Sequence, residues 1–295
     1  MERGLFRLVK AELRRIGRRR TDRRQTHTDA TIVEVYFWGV LCDRSTNWAC
    51  QSENWVGVRR RVKLPSQSAM SRRLGTERVQ RLIDTIERRL RRAQQQMPIV
   101  FMLDGKVLQV GPHSMDPDAT WGRVSGGKAK GYKLHLLMAA DGTVMAWHVA
   151  PLNVDERVIA VILLKQAKCA GYILADANYD TSRLHDVAIS SGGQLVSPRG
   201  KSRRGKGLGN HYQSPGRLRS IALLEDPVST FGCDLYKWRT AIERKFGHLT
   251  STPGLRTHLP AWVRTQRRVT MWVQAKLILA DLRAALKRET TKSVA

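Results

Sequence analysis

The stretch IVFMLDGKVLQV, residues 99–110, decides how the chain is read. Its first five residues are apolar and predict a buried strand; Asp104-Gly105 follows as a turn dipeptide, and residues 106–110 read as a second extended stretch. Just upstream, the polar run at 93–98 ends in Pro98, which stops a helix where the strand begins. The domain boundary therefore falls between residues 1–97 and 98–295.

Downstream of that strand, residues 133–140 and 143–150 flank Asp141-Gly142 and predict a hairpin with a primed turn. Residues 155–170 predict a helix that buries Val158, Ile159, Ile162 and Leu163. A strand at 171–175, a helix at 181–190, a strand at 194–197 and a long helix at 235–249 complete the series. Three meandering strands, a crossover helix, strand, helix, strand and final helix is the order of an RNase H-like α/β fold, a mixed sheet flanked by helices. A right-handed crossover would lay the fourth strand beside the first.

Upstream the periodicity is helical. Val79, Leu82, Ile83, Ile86 and Leu90 share one face of a helix. A shorter segment, residues 65–74, reads as a capped helix closed by Gly75. Residues 65–92 thus have the outline of a helix-turn-helix, with Arg72 and Arg73 suited to DNA contacts. Two short amphipathic helices in a bundle would give the same pattern.

The charge points to a polyanionic partner. Lys and Arg number 52 against 25 Asp and Glu, a net of +27. The surplus is denser in residues 1–97, which read as a small basic all-α DNA-binding region. Residues 196–220 hold seven Lys and Arg and no acid. Their basic loop, with Arg199, Lys201, Arg203, Arg204 and Lys206, reads either as a DNA clamp or as a solvated loop. The longest apolar run, residues 158–164, is far too short to span a bilayer, so no membrane partner is expected. The first twenty residues have no secretory h-region. Cys42, Cys50, Cys169 and Cys233 form no CxxC pair and read as free thiols in a reducing compartment. Cys42 and Cys50 have the wrong spacing for a zinc site. His135 and His185 read as structural.

Three acids stand out. Asp104 ends the first predicted strand and Asp176 the fourth, which would place both at the C-terminal edge of the sheet. Glu243 lies on the last helix, on one polar face with Tyr236 and Arg239. Carboxylates are hard oxygen ligands, and three converging in so basic a chain suit two Mg²⁺ or Mn²⁺ ions for phosphoryl transfer. Each acid also has a plain reading: Asp104 a turn residue, Asp176 a helix cap, and Glu243 a partner for Arg239.

Five motifs carry a family resemblance. LeuAspGly at 103–105, GlyTyrLysLeuHis at 131–135, ProLeuAsnValAspGlu at 151–156, AlaAspAlaAsnTyrAsp at 175–180, and the Tyr-x2-Arg-x3-Glu spacing of Tyr236, Arg239 and Glu243 resemble the DDE transposase domain of bacterial insertion sequences. The resemblance covers about residues 99–286. It implies an enzyme that cleaves DNA at transposon ends and joins them to target DNA, with Asp104, Asp176 and Glu243 catalytic and holding two Mg²⁺ or Mn²⁺ ions. Tyr236 and Arg239 would hold the flanking phosphate. It further implies double-stranded DNA as partner, a homodimer or higher oligomer in a synaptic complex, and a cytoplasmic, nucleoid-associated location. Thr250 stands where many relatives carry a Lys, which bears on the strand-processing route. A catalytically silent DNA-binding regulator and a plain metal-dependent nuclease are the rival functions.

Overall fold

A computed structural model describes residues 2–16, 26–57, 63–92, 98–200, 207–251 and 258–292. By their contacts the residues form two compact units, one of residues 1–94, 249–255 and 268–295, the other of residues 95–248 and 256–267.

The first unit is helical. Its helices are α1 (Glu2–Arg15), α2 (Asp29–Leu41), α3 (Thr46–Ala49), α4 (Gln67–Leu74), α5 (Glu77–Arg92) and the larger part of α11 (Gln266–Lys292). Helix α2 starts where the Thr28 side chain accepts the Thr31 N–H at 3.0 Å. It carries no charge after Glu34 and is buried throughout from Val35 to Leu41, as befits a helix with apolar residues on every side. Trp38 meets Phe6 and Trp55 with ring centroids 5.0 and 5.5 Å apart. Both indole N–H groups are satisfied, by Asn54 O and Ala49 O. Val79, Ile83 and Ile86 of α5 are fully buried, as their spacing predicts. The sequence reading placed residues 98–295 in one domain, whereas α11 groups from Arg268 onward with these helices. The Gln274 amide there bonds with Gln80, Asp84 and Glu87.

The second unit is built on a mixed sheet. Its strands are β1 (Val100–Gln109), β2 (Thr120–Val124), β3 (Gly127–Ala139), β4 (Val144–Pro151), β5 (Gly171–Leu174) and β6 (Gly193–Val196). β3 pairs antiparallel with β1 on one side, and with β2 and β4 on the other. β5 lies parallel to β1 and β6 parallel to β5. The path β4-β3-β1-β5-β6 is the RNase H-like order expected from the sequence, with β5 beside β1 as predicted. Helices α6 (Glu156–Ala167) and α7 (Ser182–Ser190) cover one face, burying Leu103, Leu137, Ile159, Leu163, Ile173, Leu184 and Leu195.

Four details depart from the sequence reading. β1 is continuous through Asp104-Gly105, because nine consecutive positions pair with β3 and outweigh the turn preference of that dipeptide. The β3–β4 loop is not a primed two-residue turn. Gly142 sits at φ +88° and donates to Ala139 O, while Ala139 donates to Thr143 O, a three-residue loop. Helix α6 stops at Ala167, with Lys168 left-handed at φ 47°. The long helix expected at 235–249 is two helices, α9 (Phe231–Lys237) and α10 (Thr240–Ser251), preceded by an unanticipated α8 (Pro215–Glu225). At the break the Thr240 hydroxyl bonds to Lys237 O, and Arg239 and Ile242 make tight i→i−3 bonds.

Candidate active site

Asp104 and Asp176 meet because β1 and β5 are parallel neighbours. Met102 pairs with Leu174, so two residues further on Asp104 and Asp176 leave the ladder at matching positions. Asp104 is therefore mid-strand in β1, not at its end, while Asp176 stands just past β5 as expected. The Asp104 carboxylate accepts the Gly105 N–H at 2.7 Å. Asp176 caps the 3-10 turn Ala177–Tyr179 by accepting the Asn178 N–H at 2.8 Å. Asp104 is pushed up to about 6, by burial first and then by the neighbouring Asp176 and Glu156 charges, against the pull of Gly105 N–H and Arg239. Asp176 is raised as well, by burial first and by Glu156.

Glu243 lies in the first turn of α10 with its carboxylate more than half exposed. It is linked to Asp104 through one guanidinium. Arg239 places Nη1 3.6 Å from Asp104 Oδ2 and Nη2 3.0 Å from Glu243 Oε1. Among the described residues no group of three or more His, Cys, Asp and Glu gathers closely enough to hold a metal ion. Asp104 and Asp176 are half-buried like charges, and the Arg239 guanidinium lies between Asp104 and Glu243. Tyr236, expected to hold a phosphate, donates its hydroxyl to Ala175 O at 3.1 Å and so ties α9 to the end of β5. The Arg239 guanidinium lies 6.0 Å from its ring.

Three further residues belong to this neighbourhood. Glu156, at the start of α6, accepts hydrogen bonds from Lys133 Nζ and, at 2.9 Å, from the Tyr179 hydroxyl. They join β3, α6 and the turn after Asp176. The motifs at 131–135 and 151–156 contain Lys133 and Glu156, but nothing in their local pattern singled these two out from their neighbours.

The expected DNA-contacting residues are divided. Arg72 is exposed on α4. Arg73 bonds to His27 O and to Asp29 inside its own unit. Arg199 is buried in a bidentate pair with Glu225. Lys201, Arg203, Arg204 and Lys206 lie outside the described residues, and of Thr250 only the helical backbone is described. His135 and His185 are fully buried, in keeping with a structural role. The four cysteines are free thiols. Among the described residues no helix is long and apolar enough to cross a membrane.

The profile of the family described as "Transposase DDE domain" matches residues 95–278, more than half of the chain. The chain belongs to the DDE transposase family. It is accordingly a DNA transposase, an enzyme that acts on DNA, and proteins of this family generally use divalent metal ions. A comparison with curated proteins gives no match. Among solved structures, a crystal structure of the Mos1 strand transfer complex aligns at 13% identity and a TM-score of 0.24, over 81% of this chain and 82% of that one.

Proposed function

We propose that this transposase cleaves DNA at transposon ends and transfers the freed 3′ ends to target DNA, with Asp104, Asp176 and Glu243 as its metal-holding catalytic residues. The observation that carries the reading is the placement of Asp104 and Asp176 at matching positions on parallel neighbours, both with raised pKa values. Two carboxylates forced together in a partly dry site are short of positive charge, and their all-oxygen donor set fits Mg²⁺ or Mn²⁺. Asp104 and Asp176 would hold the ions, and Glu243 would join them on leaving Arg239. Divalent ions held there would supply the charge to activate an attacking hydroxyl and stabilise a leaving oxygen.

The protein's own residues do the rest. Tyr236 anchors α9 to the carbonyl beside Asp176, which sets the position of Arg239. Arg239, once exchanged from the acids, is free to take a phosphate oxygen at the cleaved end. Lys133, Glu156 and Tyr179 keep β3 and the Asp176 turn in a fixed relation while charge at the site changes. The synaptic complex would contain two or more copies of the chain, and nucleoid DNA would be its working location.

A strand-transfer assay with labelled donor ends, in Mg²⁺ or Mn²⁺, tests this directly. Joined products that vanish in Asp104→Asn support it. Cleavage without joining would mean a nuclease, and binding without either would mean a DNA-binding regulator.

A further inference from the structure

The β2–β3 ribbon turns an aromatic and basic face outward that the fold does not need. Cross-strand register places Trp121 opposite Lys130 and Arg123 opposite Lys128. These four alternate with Gly122, Ala129 and Gly131, so the two sets lie on opposite faces. The small residues face inward, and closely. A Cβ on Gly122 would come within 2.6 Å of Leu152, and one on Gly131 within 2.2 Å of Leu108 O. Thr120 fixes the base of the ribbon through two 3.0 Å bonds with Asn153.

The outward face has no such account. Trp121 is 53% exposed, and Arg123 and Lys128 are exposed side by side. Like charges directly opposite one another destabilise a strand pair. Among the described residues the acids nearest in sequence form no ion pair with them. Asp116 accepts from the Tyr132 hydroxyl and Thr265 N–H, and Asp118 from Gln266 N–H. Lys130 reaches back to Ser114 O at 2.7 Å, and among the described residues Arg123 and Lys128 have no acidic partner.

We propose that the outward face of the β2–β3 ribbon is a DNA-binding surface, with Arg123 and Lys128 on backbone phosphates and Trp121 stacked on a nucleotide. Charge complementarity selects the occupant. Two uncompensated cations beside an exposed indole match a phosphodiester chain carrying an aromatic base, the pairing used in grooves that hold DNA strands. The position suits a second grip on the same DNA. Gln109 of β1 pairs with Gly131 at the base of the ribbon, five residues along from Asp104, roughly 17 Å at 3.3 Å per residue. The proposal rests on the transposase reading for its DNA substrate, and the two can fail separately.

The test uses the full-length protein in gel-shift titrations at several salt concentrations, with end-containing duplexes that are blunt or carry a single-stranded extension. Arg123→Ala/Lys128→Ala should weaken binding and reduce the slope of log affinity against log salt by about two. Its thermal midpoint should be unchanged or higher, since a repulsive pair is gone. Arg123→Lys/Lys128→Arg should bind like wild type. Trp121→Ala should lose about tenfold on the extended duplex with its salt slope intact, and Trp121→Phe should recover most of that. Wild-type affinity and slope in the double alanine variant would overturn the assignment, even with strand transfer intact. A wild-type protein that binds and needs the ribbon, yet never joins ends, would overturn the strand-transfer reading alone. A wild-type protein that binds no DNA would overturn both.

Discussion

Arg239 is the residue whose partners say most about the resting state of the site. It is bonded to Glu243 and lies close to Asp104, so each carboxylate depends on it for compensation. Glu243→Gln keeps the shape but removes a charge, and cleavage should collapse while DNA binding stays the same or tightens. A variant that still nicks DNA at near wild-type rate would show that the last acid is misassigned. His135 gives a second residue-scale prediction. Burial lowers its pKa to about 4, below an unfolded value of about 6.5. Between those values the unfolded chain binds the proton and the folded one does not, so stability falls as pH drops from about 6.5 to 4. The raised pKa of Asp104 acts in the opposite sense, adding stability as pH falls from about 6 toward 4. In metal-free urea titrations, His135→Leu should flatten the acid-side decline and Asp104→Asn should steepen it. Parallel pH profiles for all three proteins would remove this account.

Elements place the site through close backbone approach. α9 carries Tyr236, and it lies against α8 at Gly232, where a Cβ would come within 1.7 Å of Leu223 O. Backbone cannot yield like the end of a side chain, so Gly232→Ala must push the two helices apart. The expected cost is about 2 kcal/mol in chemical denaturation. Cleavage should fall further than the lost stability explains, because the Tyr236–Ala175 bond shifts with α9. A fully stable and active Gly232→Ala protein would mean that α9 does not position the site. The break between α9 and α10 matters for the same reason. A straight helix would carry Arg239 and Glu243 on one rigid face, whereas here Arg239 sits in the turn spanned by the Thr240–Lys237 bond and Glu243 in the first turn of α10.

At the scale of the molecule, the grouping of α11 changes what a truncation should do. Trp272, Val273, Ile278 and Leu279 are buried, and α11 from Arg268 belongs by contacts to the first unit. Removing residues 1–97 alone should strip this helix of its partners and leave an aggregation-prone chain. Removing residues 268–295 as well should improve solubility, as sedimentation of the two truncated proteins would show. If the protein lacking only residues 1–97 is monodisperse, α11 does not depend on the first unit. The net charge of +27 predicts a second whole-molecule property, a steep loss of DNA affinity between low and moderate salt.

The order of β1, β3, β4, α6, β5, α7 and β6 was legible because it is written in local periodicity, whereas β2 and α8 were not. Alternation and apolar runs marked the RNase H-like strands, and the 3.6-residue repeat marked α5 and α6. Motif spacing singles out Asp104, Asp176 and Glu243 from the sequence alone. What local pattern cannot carry is pairing. Asp104-Gly105 reads as a turn until nine rungs with β3 hold it straight. Lys133, Glu156 and Tyr179 come together from three elements, so no window of sequence contains their contact. Arg73 and Arg199 look like DNA contacts until Asp29 and Glu225, 44 and 26 residues away, take their charge. The ribbon's outward face was hidden for the same reason, since only the register of β2 on β3 puts Trp121, Arg123 and Lys128 on one side. Hydrophobic period is a property of neighbours along the chain and survives in the sequence alone. Which charges meet, and which are left without a partner, depends on distances that folding alone creates.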